Sequence, residues 1–330
     1  MKMVKDMAKK RKYRLKKKPF IILGIIIILI LGLIFYCSKK IKEANYKKTI
    51  EYKLIQVGYS KDEIKLLTDK TDEEFMNSLL TVDYDQEYLD IINEQYYMKK
   101  HLREYIEYYE DNLRLDSKSV VTNVNIGAIK PWYENIKETD ISKDILMINN
   151  KVYKLPDNYA PSDLVTISNQ HAYGNKPQLR KIAYDAFINM FNAAKEEGLT
   201  IIINSAYRSY EYQVNLYNQY LKNYGQNYTD KYAARPGHSE HQTGLTVDVT
   251  TYGANADNFD KTKVFAWLQN HAYEYGFILR YPKGKENITG YSYESWHYRY
   301  VGEEIAKYIH DNSITFDEYY ARFLDKEQRD

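Results

Sequence analysis

The chain has 330 residues and a formal charge of +2, with 44% hydrophobic residues, 36 tyrosines and a single cysteine, Cys37. Ten basic side chains and one acidic one fall in the first eighteen residues, so the remainder carries −7, which excludes nucleic-acid binding driven by charge. One cysteine excludes an intrachain disulfide, and the molecule must be held together by its core.

Phe20 to Cys37 is an uncharged apolar run, FIILGIIIILILGLIFYC. As a helix it is about 27 Å long, close to the roughly 30 Å hydrocarbon core of a bilayer. Lys2, Lys5, Lys9, Lys10, Arg11, Lys12, Arg14, Lys16, Lys17 and Lys18 precede it against Asp6 alone, so the positive-inside rule keeps the N-terminus in the cytoplasm and the rest outside. Lys39, Lys40 and Lys42 weaken this asymmetry without reversing it. A cleaved signal peptide is the alternative, but the run is long and ends Ile34-Phe35-Tyr36-Cys37 without a small-x-small cleavage site. The same bulky residues argue against lipoprotein processing at Cys37. The expected organisation is a cytoplasmic basic tail over 1–18, a transmembrane signal anchor over 19–37, an extracytoplasmic helical stalk over 38–118 and a domain over 119–330.

Within the stalk, Ser60-x-x-Glu63 and Thr71-x-x-Glu74 are capping-box patterns, each opening a short helix. A longer helix is expected over about Asp85 to Asn112, with Leu89, Ile92, Leu102 and Tyr105 on its apolar face. Val120 to Ile126 reads as a strand, and Ile145 to Leu155 as a hairpin around Asn149-Asn150. Lys176 to Glu197 reads as an amphipathic helix ending before Gly198. Leu199 to Ala206 is a buried strand that delivers Arg208, and Ser209 to Tyr224 a helix. Strands follow at Leu245 to Thr250, Phe277 to Arg280 and Tyr298 to Val301, with helices at Lys261 to Tyr275, Glu303 to Asp311 and Thr315 to Leu324. Regular βαβ alternation and a glycine-rich phosphate loop are both missing. The fold class is therefore α+β, with a small, mainly antiparallel sheet and flanking helices.

The chemistry concentrates in Gly237-His238-Ser239-Glu240-His241-Gln242-Thr243-Gly244-Leu245-Thr246-Val247-Asp248 and in Glu294-Ser295-Trp296-His297. Imidazole nitrogen and carboxylate oxygen suit a borderline-soft divalent ion, and three such ligands leave one tetrahedral position to water. A spare carboxylate can then act as general base. In a turn or helix Glu294 would share a side with His297, whereas in a strand the two would point apart. His238 and His241 form a competing pair, but Pro236-Gly237 breaks any helix that would align their rings. Each motif alone is weak, and His-Glu-x-x-His is absent.

A third block, Ser205-Ala206-Tyr207-Arg208-Ser209-Tyr210-Glu211-Tyr212-Gln213, lies upstream. In this order the three blocks closely resemble the VanY-type D-alanyl-D-alanine carboxypeptidase family, whose pattern runs Ser-x-Tyr-Arg-Ser, Ser-x-His-x-x-Gly-x-x-x-Asp and Glu-x-Trp-His. The likeness covers roughly Val152 to Glu303, so it sets the motif core of the C-terminal domain at 152–303. It departs at Thr246, where the family usually has a small apolar residue. The resemblance implies His241, Asp248 and His297 as ligands of one Zn²⁺ and Glu294 as general base. It makes Arg208 the cation for a substrate carboxylate or a developing oxyanion, a role suited to a planar guanidinium. Ser239, Gln213 and Tyr207 are further candidate substrate contacts, although Tyr207 and Trp296 are better explained as packing residues. Together with an external location this implies removal of a terminal D-alanine from peptidoglycan stem peptides in a Gram-positive-like bacterium. A cross-link endopeptidase and a wall-binding protein with a structural zinc are the alternatives.

Overall fold

The computed structural model describes residues 17–174 and 176–325, and the chain divides into two compact units, Met1–Ile92 and Asn93–Asp330. In the first unit, α1 (Lys17–Tyr46) contains the apolar run, and from Ile21 to Tyr46 it is long and apolar enough to cross a membrane. Its large side chains have no protein cover, with Ile28 70% and Phe35 73% exposed. A helix hydrophobic all round needs either a core or lipid around it. The basic tail expected ahead of it, as far as Lys16, lies outside the described residues.

Four short helices follow, α2 (Ile50–Val57), α3 (Lys61–Lys70), α4 (Glu73–Ser78) and α5 (Gln86–Asn93), burying Leu54, Leu67, Leu89 and Ile92. The capping box on α3 forms as its sequence predicts: Ser60 Oγ accepts from Glu63 N at 3.3 Å, and Glu63 Oε2 from Ser60 N at 2.7 Å. The second box does not form. Asp72 caps α4 by accepting from Phe75 N, while Thr71 Oγ1 donates back to Leu67 O. A carboxylate is the stronger partner for the positive end of a helix.

The second unit corrects several sequence expectations, and side chains bonding to backbone are a recurring reason. The long helix over Asp85 to Asn112 is broken into α5 and α6 (Leu102–Asp111). Between them Asn125 Nδ2 donates to Tyr96 O and Tyr105 Oη accepts from Met98 N, taking that backbone out of helical pairing. Val120 to Ile126 is not a strand: most of it lies in α7 (Ser117–Asn125), capped by Asp116, with Val120, Val121 and Val124 buried at helical spacing. Cap and period outweigh the β preference of valine. The hairpin over Ile145 to Leu155 is also absent. Asn150 Oδ1 accepts from Val152 N and Tyr153 N in an Asx-type turn, and β1 (Lys137–Glu138) pairs in parallel with β2 (Tyr153–Lys154). The antiparallel pair β3 (Leu164–Thr166) and β4 (Gln178–Arg180) uses residues expected to open the next helix, so α8 (Lys181–Glu196) starts at Lys181.

Four strands, β5 (Ile202–Ser205), β6 (Thr246–Thr250), β7 (Phe277–Tyr281) and β8 (Glu294–Tyr300), form an antiparallel sheet in the order β5-β6-β8-β7. Between β5 and β6 run α9 (Tyr210–Tyr224) and α10 (Gln226–Tyr232), then α11 (Lys263–His271) before β7 and α12 (Glu286–Thr289) before β8. The chain ends in α13 (Glu303–Asp311) and α14 (Phe316–Tyr319). Phe187 and Met190 of α8 and Trp267 of α11 cluster with Val247, Val249 and Tyr298 of the sheet. A second cluster joins Ile278 to Ile309 and Phe316 of the last helices. Burying each such side chain contributes on the order of 1.5–3 kcal/mol. The architecture is the α+β arrangement expected, with small, mainly antiparallel sheets.

Candidate metal centre and cleft

Sheet register brings the candidate residues together. Asp248 on β6 stands opposite Ser205 on β5 and His297 on β8, so side chains from three adjacent strands meet. Beyond a register shift between Ile203 and Ser205, the chain leaves β5 through Arg208 and enters α9 at Ser209, whose Oγ accepts from Tyr212 N. His241 comes from the 3-10 turn Glu240–Thr243, which ends at Gly244 with φ 66°. That left-handed backbone, which glycine adopts without penalty, turns the chain toward β6.

One donor atom each from His241, Asp248 and His297 lies within 4.8 Å of the other two, and all three residues are buried. His241 Nδ1 is 2.7 Å from the Ala206 carbonyl, which can only accept, so Nδ1 carries the proton and Nε2 is left bare, 3.3 Å from Asp248 Oδ2. His297 turns its other nitrogen inward: Nδ1 is 3.2 Å from Asp248 Oδ1 and 3.3 Å from Glu294 Oε2. Glu294 is three residues from His297 along a strand, yet both reach the same point. Between Leu279↔Tyr298 and Tyr281↔Glu294 the pairing of β7 with β8 shifts, because β8 uses four residues where β7 uses two. The irregularity re-aims the Glu294 carboxylate, as bulges beside sites do.

The electrostatics favour a cation. Burial, assisted by the Arg208 charge, lowers the His241 pKa to about 4 and keeps the ring neutral. Burial also opposes charge on His297, but Asp248, Glu240 and Glu294 overcome it and hold that pKa well above the usual histidine value. Burial would raise Asp248, yet His241, His297 and Arg208 hold it well below the usual range. Glu294 is raised, by burial first and by Asp248 in addition, against the pull of His297. Asp248 Oδ1 is buried without a hydrogen-bond partner among the described residues. Two nitrogens and such an oxygen suit a divalent ion.

The cluster lines a cleft of about 440 Å³. Arg208 borders it, with Nε and Nη2 donating to Ser205 Oγ and Nη2 to Asp248 Oδ2 at 2.7 Å. Ser239 and Gln213 line it too, Gln213 anchored by Nε2 to Ala234 O and leaving Oε1 without a partner among the described residues. Tyr207 is not among the lining residues, whereas Trp296 borders the cleft and packs on the core. His238 stays out of the cluster: its Nδ1 meets Asn150 O at 2.7 Å and its ring packs edge-on to Tyr133. Sequence reasoning gave no role to Glu240, Arg280, Arg299 or Asp317, which form a buried ionic group around the histidines. Glu240 was visible as the residue before His241, but nothing local announces its distant arginine partners.

Comparisons with known proteins agree with this geometry. Residues 176–303 match the VanY family, described as D-alanyl-D-alanine carboxypeptidase. YodJ of Bacillus subtilis (strain 168), named as a carboxypeptidase, is 40% identical over 220 residues, covering 62% of this chain and 80% of YodJ. The bifunctional D-Ala-D-Ala dipeptidase and carboxypeptidase VanXYC of Enterococcus gallinarum is 33% identical over 181 residues, covering 53% of this chain and 93% of that one. Among solved structures, the LdcB LD-carboxypeptidase shares 42% identity with a TM-score of 0.54, over 57% of this chain and 91% of LdcB. This chain belongs to the VanY D-alanyl-D-alanine carboxypeptidase family and is a hydrolase of the carboxypeptidase class.

Proposed function

We propose that the protein is a membrane-anchored zinc carboxypeptidase that removes a terminal D-alanine from peptidoglycan stem peptides. The observation that carries this reading is the convergence of His241, Asp248 and His297 on one buried point with Glu294 3.3 Å from His297. His241 through Nε2, Asp248 through its carboxylate and His297 through Nδ1 would hold the ion. Zinc bound there supplies a Lewis acid that polarises a carbonyl and lowers the pKa of water to roughly 7. Glu294, its pKa raised by burial, takes a proton from the attacking water on a carboxylate oxygen and returns it to the leaving amine. Arg208, which lines the cleft, binds the terminal carboxylate of the peptide, and Ser239 and Gln213 Oε1 offer hydrogen bonds to its backbone. We assign Tyr207 to packing.

In the same reading, residues 1–18 form a cytoplasmic tail and residues 19–37 the anchor. Residues 38–118 form a stalk, and residues 119–330 the catalytic domain outside the membrane. The N-terminal charge asymmetry and the bare apolar surface of α1 support this arrangement. The direct test is mass spectrometry of defined tetra- and pentapeptide muropeptides incubated with the detergent-solubilised full chain. Free D-alanine should appear, cease with a chelator and return with Zn²⁺. Split cross-linked dimers without free D-alanine would favour an endopeptidase, and chelator-resistant turnover would end the zinc reading.

A further inference from the structure

The Glu240 side chain is completely buried, and its two oxygens are used differently. Oε1 accepts from Arg280 Nε at 2.8 Å and lies 3.3 Å from Arg299 Nη1. Oε2 has no hydrogen-bond partner among the described residues, and neither has His297 Nε2. These two atoms face each other at 3.7 Å, about 0.8 Å beyond an ordinary N–H···O contact of ~2.9 Å. A buried polar atom left without a partner is destabilising, so each is the other's available remedy.

We propose that Glu240 is a positioning residue for the metal centre: it accepts the Nε2–H of His297 and thereby fixes the ring with Nδ1 turned to Asp248 and Glu294. The inference rests on the metal reading of the cluster given above. A ligating histidine almost always gives its second ring N–H to a carboxylate or carbonyl, which sets the ring's orientation and strengthens its donor nitrogen. His241 has such a partner in the Ala206 carbonyl, and Glu240 supplies the one for His297. Arg280 and Arg299 bring two guanidiniums against the Glu240 carboxylate from β7 and β8. Asp317, bonded to both Nη atoms of Arg280, balances the second guanidinium charge and ties α14 to the arrangement.

The test uses the full chain in detergent, labelled with ¹⁵N-histidine, as wild type, Glu240→Gln, Glu240→Asp and Asp317→Asn. NMR should show a proton on Nε2 of His297 in the wild type, hydrogen-bonded and slow to exchange. Its resonance should move upfield in Glu240→Gln and stay in place in Asp317→Asn, which disturbs the same arginine without touching His297. Zinc affinity, read by competition with a chromophoric chelator, should fall roughly 10- to 100-fold in Glu240→Gln and partly recover in Glu240→Asp, where the charge is kept. Asp317→Asn should lose thermal stability but bind zinc within about twofold of wild type. A bare Nε2 in the wild type, or an Nε2–H signal and a zinc affinity both unmoved by Glu240→Gln, would overturn the proposal. A wild type that takes up no zinc overturns the metal reading instead, and the NMR signal still decides the Glu240 contact.

Discussion

Glu294 and His297 occupy one strand and touch, yet the proposed chemistry gives them separable roles. Glu294→Ala should keep one zinc per chain by metal analysis and lose roughly 10²- to 10⁴-fold in kcat, the usual share of a general base. His297→Ala should lose both zinc and turnover. A Glu294→Ala enzyme with wild-type kcat would contradict the assignment of the base. The ligand candidates and the base could be nominated only by joining residue types to the likeness of three blocks to one family, since metal and proton chemistry restrict which side chains serve but each motif alone is weak. Glu240 could not, since its partners Arg280, Arg299 and His297 lie on β7 and β8, forty residues or more along the chain.

Elements were readable where a signal is local. The Ser60 and Glu63 box marks the start of α3 as the sequence predicts, and α9 and α14 begin after the expected Ser209 and Thr315, whose side chains cap them in the structure. α7 and the Asn150 turn were misread as a strand and a hairpin, because Asp116 and Asn150 bond to backbone in ways that hydrophobic alternation does not encode. The shift in β8 has no sequence mark either, though it lets a strand carry both Glu294 and His297 to one point. Gly244 is the most exacting backbone position between two ligands. A Cβ there would lie 2.9 Å from Arg180 Cγ and 3.0 Å from Leu164 Cδ2, and φ is already positive. Gly244→Ala should therefore cost about 1–3 kcal/mol in unfolding free energy and weaken zinc binding, measured by denaturant titration and chelator competition. Unchanged stability would mean that the turn relaxes freely and does not hold the ligands.

Across the molecule, the apolar run was legible as the helix α1, whereas the border of the compact units at Ile92 carries no proline- or glycine-rich marker. Deleting residues 1–46 should move the protein from the membrane to the soluble fraction. The kcat/KM on a soluble muropeptide should stay within about threefold, as read by cell fractionation and D-alanine release. A truncated form that still pellets with membranes would remove α1 as the anchor. The pairing of Arg280 with Asp317 sets an order of assembly. A nascent chain has already delivered every ligand candidate when residue 297 emerges, but the carboxylate that neutralises the wall behind them arrives twenty residues later. Before residue 317 is made, Glu240 is the acidic partner available to both the Arg280 and Arg299 guanidiniums.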